Sequence, residues 1–172
     1  MVAGTDHPGP ASVGLSQTIR EAIIAHARAE DPNEACGLII GDRPAGAGGR
    51  ALRFEATANE AASPYRYEIP PAELYRLSVA VDDADQSFWG IVHSHTHTPA
   101  VPSATDIGLA FYPDALYVLV SLAEDERDPA TGAPGIRAWR IVGGSIHEVP
   151  VEKVATKDAP GDSASRGRSA RR

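Results

Sequence analysis

Apolar residues recur at helical spacing through residues 16–30, where Ile19, Ile23 and Ala27 fall on one stripe, Ser16 stands as N-cap and Pro32 blocks continuation. The period then changes. Residues 35–41 (ACGLIIG) are short, continuously apolar and followed by turn residues, the pattern of a strand covered on both faces. Gly-rich residues 44–49 turn the chain, and residues 51–57 pair back on that strand. A second helix starts at Pro70-Pro71, proline being tolerated in a first turn, carries Leu74, Leu77, Ser78 and Val81, and ends in Asp82, Asp83 and Asp85. Residues 87–95 (SFWGIVHSH) form an apolar strand that delivers histidines at its carboxyl end. A loop, a short helix over 104–111 and a strand over 115–122 follow. Beyond a turn-rich stretch at 124–135, segments 136–142 and 145–149 flank Gly143-Gly144, a strong hairpin signal. Helices interleaved with strands and closed by a hairpin make an α/β fold, a mixed β-sheet sandwiched by helices in a single domain. Residues 1–13 and 155–172, rich in Gly, Pro, Ser and Ala without apolar periodicity, read as flexible tails around a domain at 14–154.

Composition narrows the setting. The 172 residues suit one domain, and 42% hydrophobic content supplies one core. Cys36 is the only cysteine, which excludes a disulfide scaffold. No apolar run approaches a membrane span and the start lacks a signal-peptide pattern, so the expected location is cytoplasmic. Of the 16 Lys and Arg, four lie among the last seven residues, so the first 165 residues hold twelve cations against 23 acids, a net −11. Such a surface disfavours nucleic acid and anionic membranes, and the short arginine tail reads as a solvated terminus.

The stretch His93–Asp106 (HSHTHTPAVPSATD) holds three of the six histidines in five positions. On a strand, His93 and His95 point to one side while Ser94 faces away, so both imidazoles can converge on one ion. Zinc takes nitrogen and oxygen ligands and, in a catalytic site, keeps three protein ligands and an open position, which His93, His95 and Asp106 satisfy. A rival reading needs no metal. Ser103, two residues and then Asp106 is also a capping box that would start the short helix, and histidines at a polar strand end can simply face solvent. A zinc ion with an open position acidifies a water and polarises a carbonyl, so amide hydrolysis is the expected chemistry. A proton acceptor is then required, and Glu34 at the mouth of the buried strand is one candidate, though an acid there is unremarkable in a loop.

The pattern His-Ser-His, seven residues, Ser, two residues, Asp, with an upstream Glu before Cys-Gly-Leu, resembles the JAMM motif of the MPN-plus zinc metalloproteases, and every position matches. The resemblance implies an MPN/JAMM-type (cytidine-deaminase-like) fold with one Zn2+ per chain held by His93, His95 and Asp106. It implies further that Glu34 takes the proton from the attacking water and that Ser103 hydrogen-bonds the oxyanion. It extends over the first helix, PNEACGLIIG, the SPYRYEI segment at 63–69, the second helix and the motif. Small stand-alone members resemble peptidases that release cysteine from the Gly-Gly C-terminus of a ubiquitin-like sulfur-carrier protein, in cysteine biosynthesis. The expected partner is therefore such a carrier, with room left for a homodimer. Isopeptidase action on other ubiquitin-like conjugates, or a metal-containing module that binds such tails without cutting, are the alternatives. A cupin oxygenase would share a His-x-His strand but needs many more strands and no such helices.

Other residues carry bland readings beside sharp ones. Cys36 in a buried strand reads as core rather than nucleophile, and Trp89 and Trp139 likewise. Arg66, between Tyr65 and Tyr67, is either ordinary surface or a bidentate clamp for the carboxylate of a released amino acid. His97 reads as a neighbour of the ligands or as surface. His26 and His147 have no ligand spacing, and Ser121 is a neighbour candidate for the metal pocket.

Overall fold

The structure, a computed structural model, describes residues 9–155. Six strands form one mixed sheet in the order β3-β2-β4-β5-β6-β7. These are β2 (Cys36–Gly41), β3 (Ala51–Thr57), β4 (Ser87–His95), β5 (Leu116–Ser121), β6 (Gly135–Val142) and β7 (Ser145–Val149). Only β4 and β5 run parallel; the other neighbours are antiparallel. The parallel step needs a crossover, and the loop with α3 (Ala104–Gly108) supplies it. Every residue of β2 and β5 is buried, which is why both read as unbroken apolar runs. Edge strand β7 stays mostly exposed, only Val149 being buried.

Each face of the sheet has its own helix. Helix α1 (Gln17–Glu30), capped by Ser16 accepting from the Ile19 N–H at 3.3 Å, buries Ile19, Ile23 and Ala27. They pack on Ile39, Val92, Val118 and Val120. Full burial of each isoleucine stabilises by roughly 1.5–3 kcal/mol. On the other face α2 (Pro71–Asp83) presses Leu77 and Val81 against Leu38, Ile40, Ile91 and Leu119. A bulge interrupts the alternation of β4. Ile39 pairs with Gly90 but Ile40 with Phe88, leaving Trp89 as the extra residue. Trp89 turns into the α1 core and donates its indole N–H to Gly49 O at 2.7 Å. Beyond the bulge Ile91 faces α2, and so do His93 and His95.

Two strands escape the sequence pattern. β1 (Val13–Ser16) and β8 (Val151–Val154) form a separate parallel pair that holds Val13 and Leu15 in the α1 core. Val13, read above as part of the N-terminal tail, is buried. Four-residue strands of two or three apolar positions carry too little periodicity to stand out. Of the two segments read as flexible, residues 1–8 and 156–172 lie outside the described residues. The helix expected over 104–111 stops at Gly108. Gly143 and Gly144 turn the β6–β7 hairpin with φ of 57° and 81°, the left-handed conformation for which glycine is suited. No helix among the described residues is long and apolar enough to cross a membrane.

Candidate metal centre

The carboxyl end of β4 extends past the cover of α2, and there the polar residues of the motif collect. His93 and His95 share the α2 face of the strand, and Asp106 enters from the first turn of α3. His93 Nε2 lies 3.2 Å from His95 Nε2 and 3.3 Å from Asp106 Oδ1, and His95 Nε2 lies 3.5 Å from Asp106 Oδ2. All three residues are buried. Ligands held at 2.0–2.2 Å in a tetrahedron stand about 3.3–3.5 Å apart, so these separations fit a single zinc-sized ion. Among the described residues, His93, His95 and Asp106 are the group able to hold a metal.

Proton placement agrees with that fit. His95 Nδ1 sits 2.7 Å from Pro99 O, and because a carbonyl only accepts, Nδ1 carries the hydrogen and Nε2 keeps its lone pair toward the cluster. His93 Nδ1 is the buried side-chain atom without a hydrogen-bond partner among the described residues, so the ring's polar contacts all run through Nε2. Burial works to raise the Asp106 carboxyl, but contacts from His93, His95 and Ser103 outweigh it and hold the group well below the usual carboxylate range. Burial lowers His93 despite Asp106. For His95 burial also works downward, yet Asp106, the Pro99 carbonyl and Glu34 raise it on balance. Asp106 is therefore anionic across the neutral range, the state a cation requires.

Asp106 also makes the capping box. Its Oδ2 accepts from the Ser103 N–H at 2.7 Å, and Ser103 Oγ accepts from the Asp106 N–H at 3.2 Å. The two readings of this segment are compatible, because the cap fixes the carboxylate that faces the histidines. Ser103 itself is exposed beside the cluster.

Glu34 lies two residues before Cys36, the first residue of β2. Cys36 pairs with His93, so alternation sends Glu34 to the same face as the histidines. It is 5% exposed, and burial pushes its carboxyl up to about 7, with His95 pulling down and Asp106 pushing up. A carboxyl near neutrality at the rim of this side-chain cluster can both take and return a proton.

Three residues that spacing did not single out hold this arrangement. Asn59 donates from Nδ2 to Glu34 O and Arg66 O at 2.9 and 3.1 Å, while its Oδ1 accepts from the N–H groups of Ala61 and Glu68. Ser94, facing away from the cluster as expected, accepts from the Ala35 N–H at 2.7 Å and so ties β4 to the residue after Glu34. Tyr67 stacks on His93, centroids 4.5 Å apart. Only Ser94 left a signal, a small hydroxyl inside an apolar strand, which must find a buried partner.

Other candidates fall elsewhere. His97 is exposed, with Nδ1 2.7 Å from Thr96 Oγ1. Ser121 stands beside His95 in the β4–β5 register and donates to Thr98 O, bracing the loop after His95. Cys36 is buried, its thiol lies 3.2 Å from Ala58 O, and burial pushes it up to about 11, the state of a core residue. Trp139 is buried, its indole bonded to Ala100 O. His26 contacts Cys36 O, and His147 is exposed. Arg66 lines an apolar groove of ≈ 390 Å³ with Tyr67, Leu74, Thr105, Leu109 and Phe111. Tyr67 and Thr105 join that groove to the cluster.

A family model described as prokaryotic homologs of the JAB domain matches residues 16–142. The chain is 41% identical over 133 residues to the "CysO-cysteine peptidase" of Mycobacterium tuberculosis, covering 77% of this chain and 85% of that one. It is 33% identical over 114 residues to the "Desampylase" of Haloferax volcanii, covering 63% and 80%. The solution structure of a Desulfitobacterium hafniense protein superposes with a TM-score of 0.69 at 31% identity, covering 84% of this chain and 95% of that one.

Proposed function

The chain belongs to the prokaryotic homologs of the JAB domain, and from that premise we propose that it is a cytoplasmic zinc peptidase. In this reading it hydrolyses the amide bond after the C-terminal Gly-Gly of a ubiquitin-like sulfur-carrier protein and releases cysteine. We assign the activity to residues 14–154. The observation that carries the reading is the convergence of two Nε2 atoms and an ionised carboxylate within 3.2–3.5 Å, with a carboxyl raised to about 7 beside them. The similarity to a peptidase named for a CysO-cysteine substrate supports the choice of carrier.

His93, His95 and Asp106 would hold the ion, one per chain. Zinc at such a position supplies Lewis acidity, polarising the scissile carbonyl and acidifying the attacking water. Glu34 takes the proton from that water and passes it to the leaving amine, a shuttle that suits a carboxyl poised near neutrality. Ser103 donates its hydroxyl hydrogen to the carbonyl oxygen as charge grows there. The groove beside Tyr67 receives the carrier tail, whose glycines let the backbone approach closely.

Zinc-loaded protein incubated with a carrier ending in Gly-Gly-Cys should shorten it by one cysteine on the mass spectrum, and chelation should abolish this. An unchanged carrier would overturn the reading in favour of tail binding alone. The similarity to a desampylase favours a second reading, isopeptidase action on other ubiquitin-like conjugates. A lysine-linked conjugate cleaved faster than the Gly-Gly-Cys carrier would select it.

A further inference from the structure

The two imidazoles of the cluster are held in different ways. A histidine ring turns about its Cβ–Cγ bond in broad wells, and a ligating ring is ordinarily fixed by the hydrogen bond that its other nitrogen donates. His95 follows that rule, with Nδ1 2.7 Å from Pro99 O. His93 departs from it, because its buried Nδ1 has no hydrogen-bond partner among the described residues. An aromatic face lies against the ring instead. Tyr67 stacks on His93 with 4.5 Å between centroids and 20° between planes, a contact that fixes the plane of the imidazole without donating or accepting a hydrogen.

The loop that delivers Tyr67 also holds Glu34. Asn59 Nδ2 donates to Arg66 O at 3.1 Å and Asn59 Oδ1 accepts from the Glu68 N–H at 3.0 Å, so the residues on either side of Tyr67 are pinned to one amide. Arg66 and Glu68 are exposed while Tyr67 between them is half-buried. The same Nδ2 donates to Glu34 O at 2.9 Å, and the Glu34 N–H donates to Ser63 O at 2.9 Å. A further bond from the Glu60 N–H to Glu68 O at 2.8 Å closes the loop on itself. Residues 59–68 thus reach the cluster twice, through the backbone of Glu34 and through the ring of Tyr67.

We propose that Tyr67 is the positioning residue of His93, its ring face standing in for a hydrogen bond at Nδ1, and that Asn59 sets Tyr67 and Glu34 in one frame. The proposal rests on the metal-binding and peptidase reading above. It makes the site asymmetric. His95 and Asp106 take their orientation from Pro99 O and the Ser103 cap, which the loop does not touch, whereas His93 and Glu34 depend on the loop. Tyr67 also lines the apolar groove, so one side chain walls both the ligand and the channel assigned to the carrier tail. The face of the ring carries this role, and its hydroxyl does not.

The test measures zinc affinity by competition with a chelating dye, on metal-free protein whose folding is checked by circular dichroism. Tyr67→Met, which fills the volume without a planar face, should weaken zinc by about 10- to 100-fold, the usual cost of losing a group that orients a ligand. Tyr67→Phe should bind as wild type does. The visible spectrum of cobalt-loaded protein should change in Tyr67→Met and be restored in Tyr67→Phe. Leu77→Ala, a packing loss on the same sheet face, should leave zinc affinity unchanged. Asn59→Ala reads the same property should Tyr67→Met not fold: it should weaken zinc and, at saturating zinc, lower kcat on a Gly-Gly-Cys carrier further than Tyr67→Met does, since Glu34 is released as well. Wild-type affinity and spectrum in Tyr67→Met would overturn the positioning role, as would a Tyr67→Phe protein equally impaired or an equal loss in Leu77→Ala. Wild-type zinc affinity and kcat in Asn59→Ala would overturn the shared frame. Zinc that binds to none of these proteins, wild type included, would overturn the metal reading itself, and an uncut carrier with the zinc results intact would overturn the peptidase reading alone.

Discussion

On one face of the sheet, α1 lays Ile19, Ile23 and Ala27 on strand residues that are themselves apolar, and the β1–β8 pair closes the margin. On the other face, α2 covers Leu38, Ile40 and Ile91 and ends there, leaving His93, His95, Asp106 and Glu34 to fill the rest. Burial is equally deep on both: Ile39 on the α1 face and His93 on the α2 face are each 0% exposed. What differs is the kind of partner. Apolar contacts are many and individually small, so losing one leaves the rest intact. The polar cluster is held by a handful of directed contacts, and removing one member strands the others without partners. Chemistry therefore sits where the covering helix stops.

Four substitutions probe that difference. His95→Ala should have the largest effect, taking bound zinc to near zero and cleavage to background; metal retention at wild-type stoichiometry, measured by elemental analysis, would break the assignment. Glu34→Gln should retain the metal and lose about 10²- to 10⁴-fold in kcat. It should also stabilise the metal-free fold, since an acid whose folded pKa is raised opposes folding as it ionises. The gain should be absent below about pH 4.5, grow as pH rises to about 7 and be complete above, as read by urea denaturation across pH. Ile23→Ala, on the apolar face, should cost about 2–5 kcal/mol of stability while the folded fraction keeps its kcat. Ser94→Ala crosses the divide, because its hydroxyl lies on the α1 side yet holds the backbone after Glu34. A loss of about 1–3 kcal/mol is expected from the unsatisfied Ala35 N–H, with a fall in kcat and no change in zinc content. An unchanged kcat would show that the two faces are independent.

Much of this contrast is legible in the chain itself. A continuous apolar run marked β2 as a buried strand, and the ends of β3, β4 and β7 coincide with the segments 51–57, 87–95 and 145–149 expected from the chain. The pair His93 and His95 in the group able to hold a metal was legible because residues two apart on a strand must share a face. Glu34 was different. It is 59 residues from His93, and nothing local joins them; only the resemblance to a known motif did. Asn59 and Tyr67 were illegible for the same reason, since they act through a loop whose path depends on four hydrogen bonds around one amide side chain.

The bulge at Trp89 sets the phase of everything downstream. Because side chains alternate with a period of two, adding or removing one residue between Trp89 and His93 would swing both imidazoles into the α1 core and bring Ser94 out in their place. Insertions in the exposed turn at residues 129–132 carry no such penalty. Natural variation in length among relatives of this chain should therefore be free in that turn and forbidden in the three residues that count the histidines onto their face.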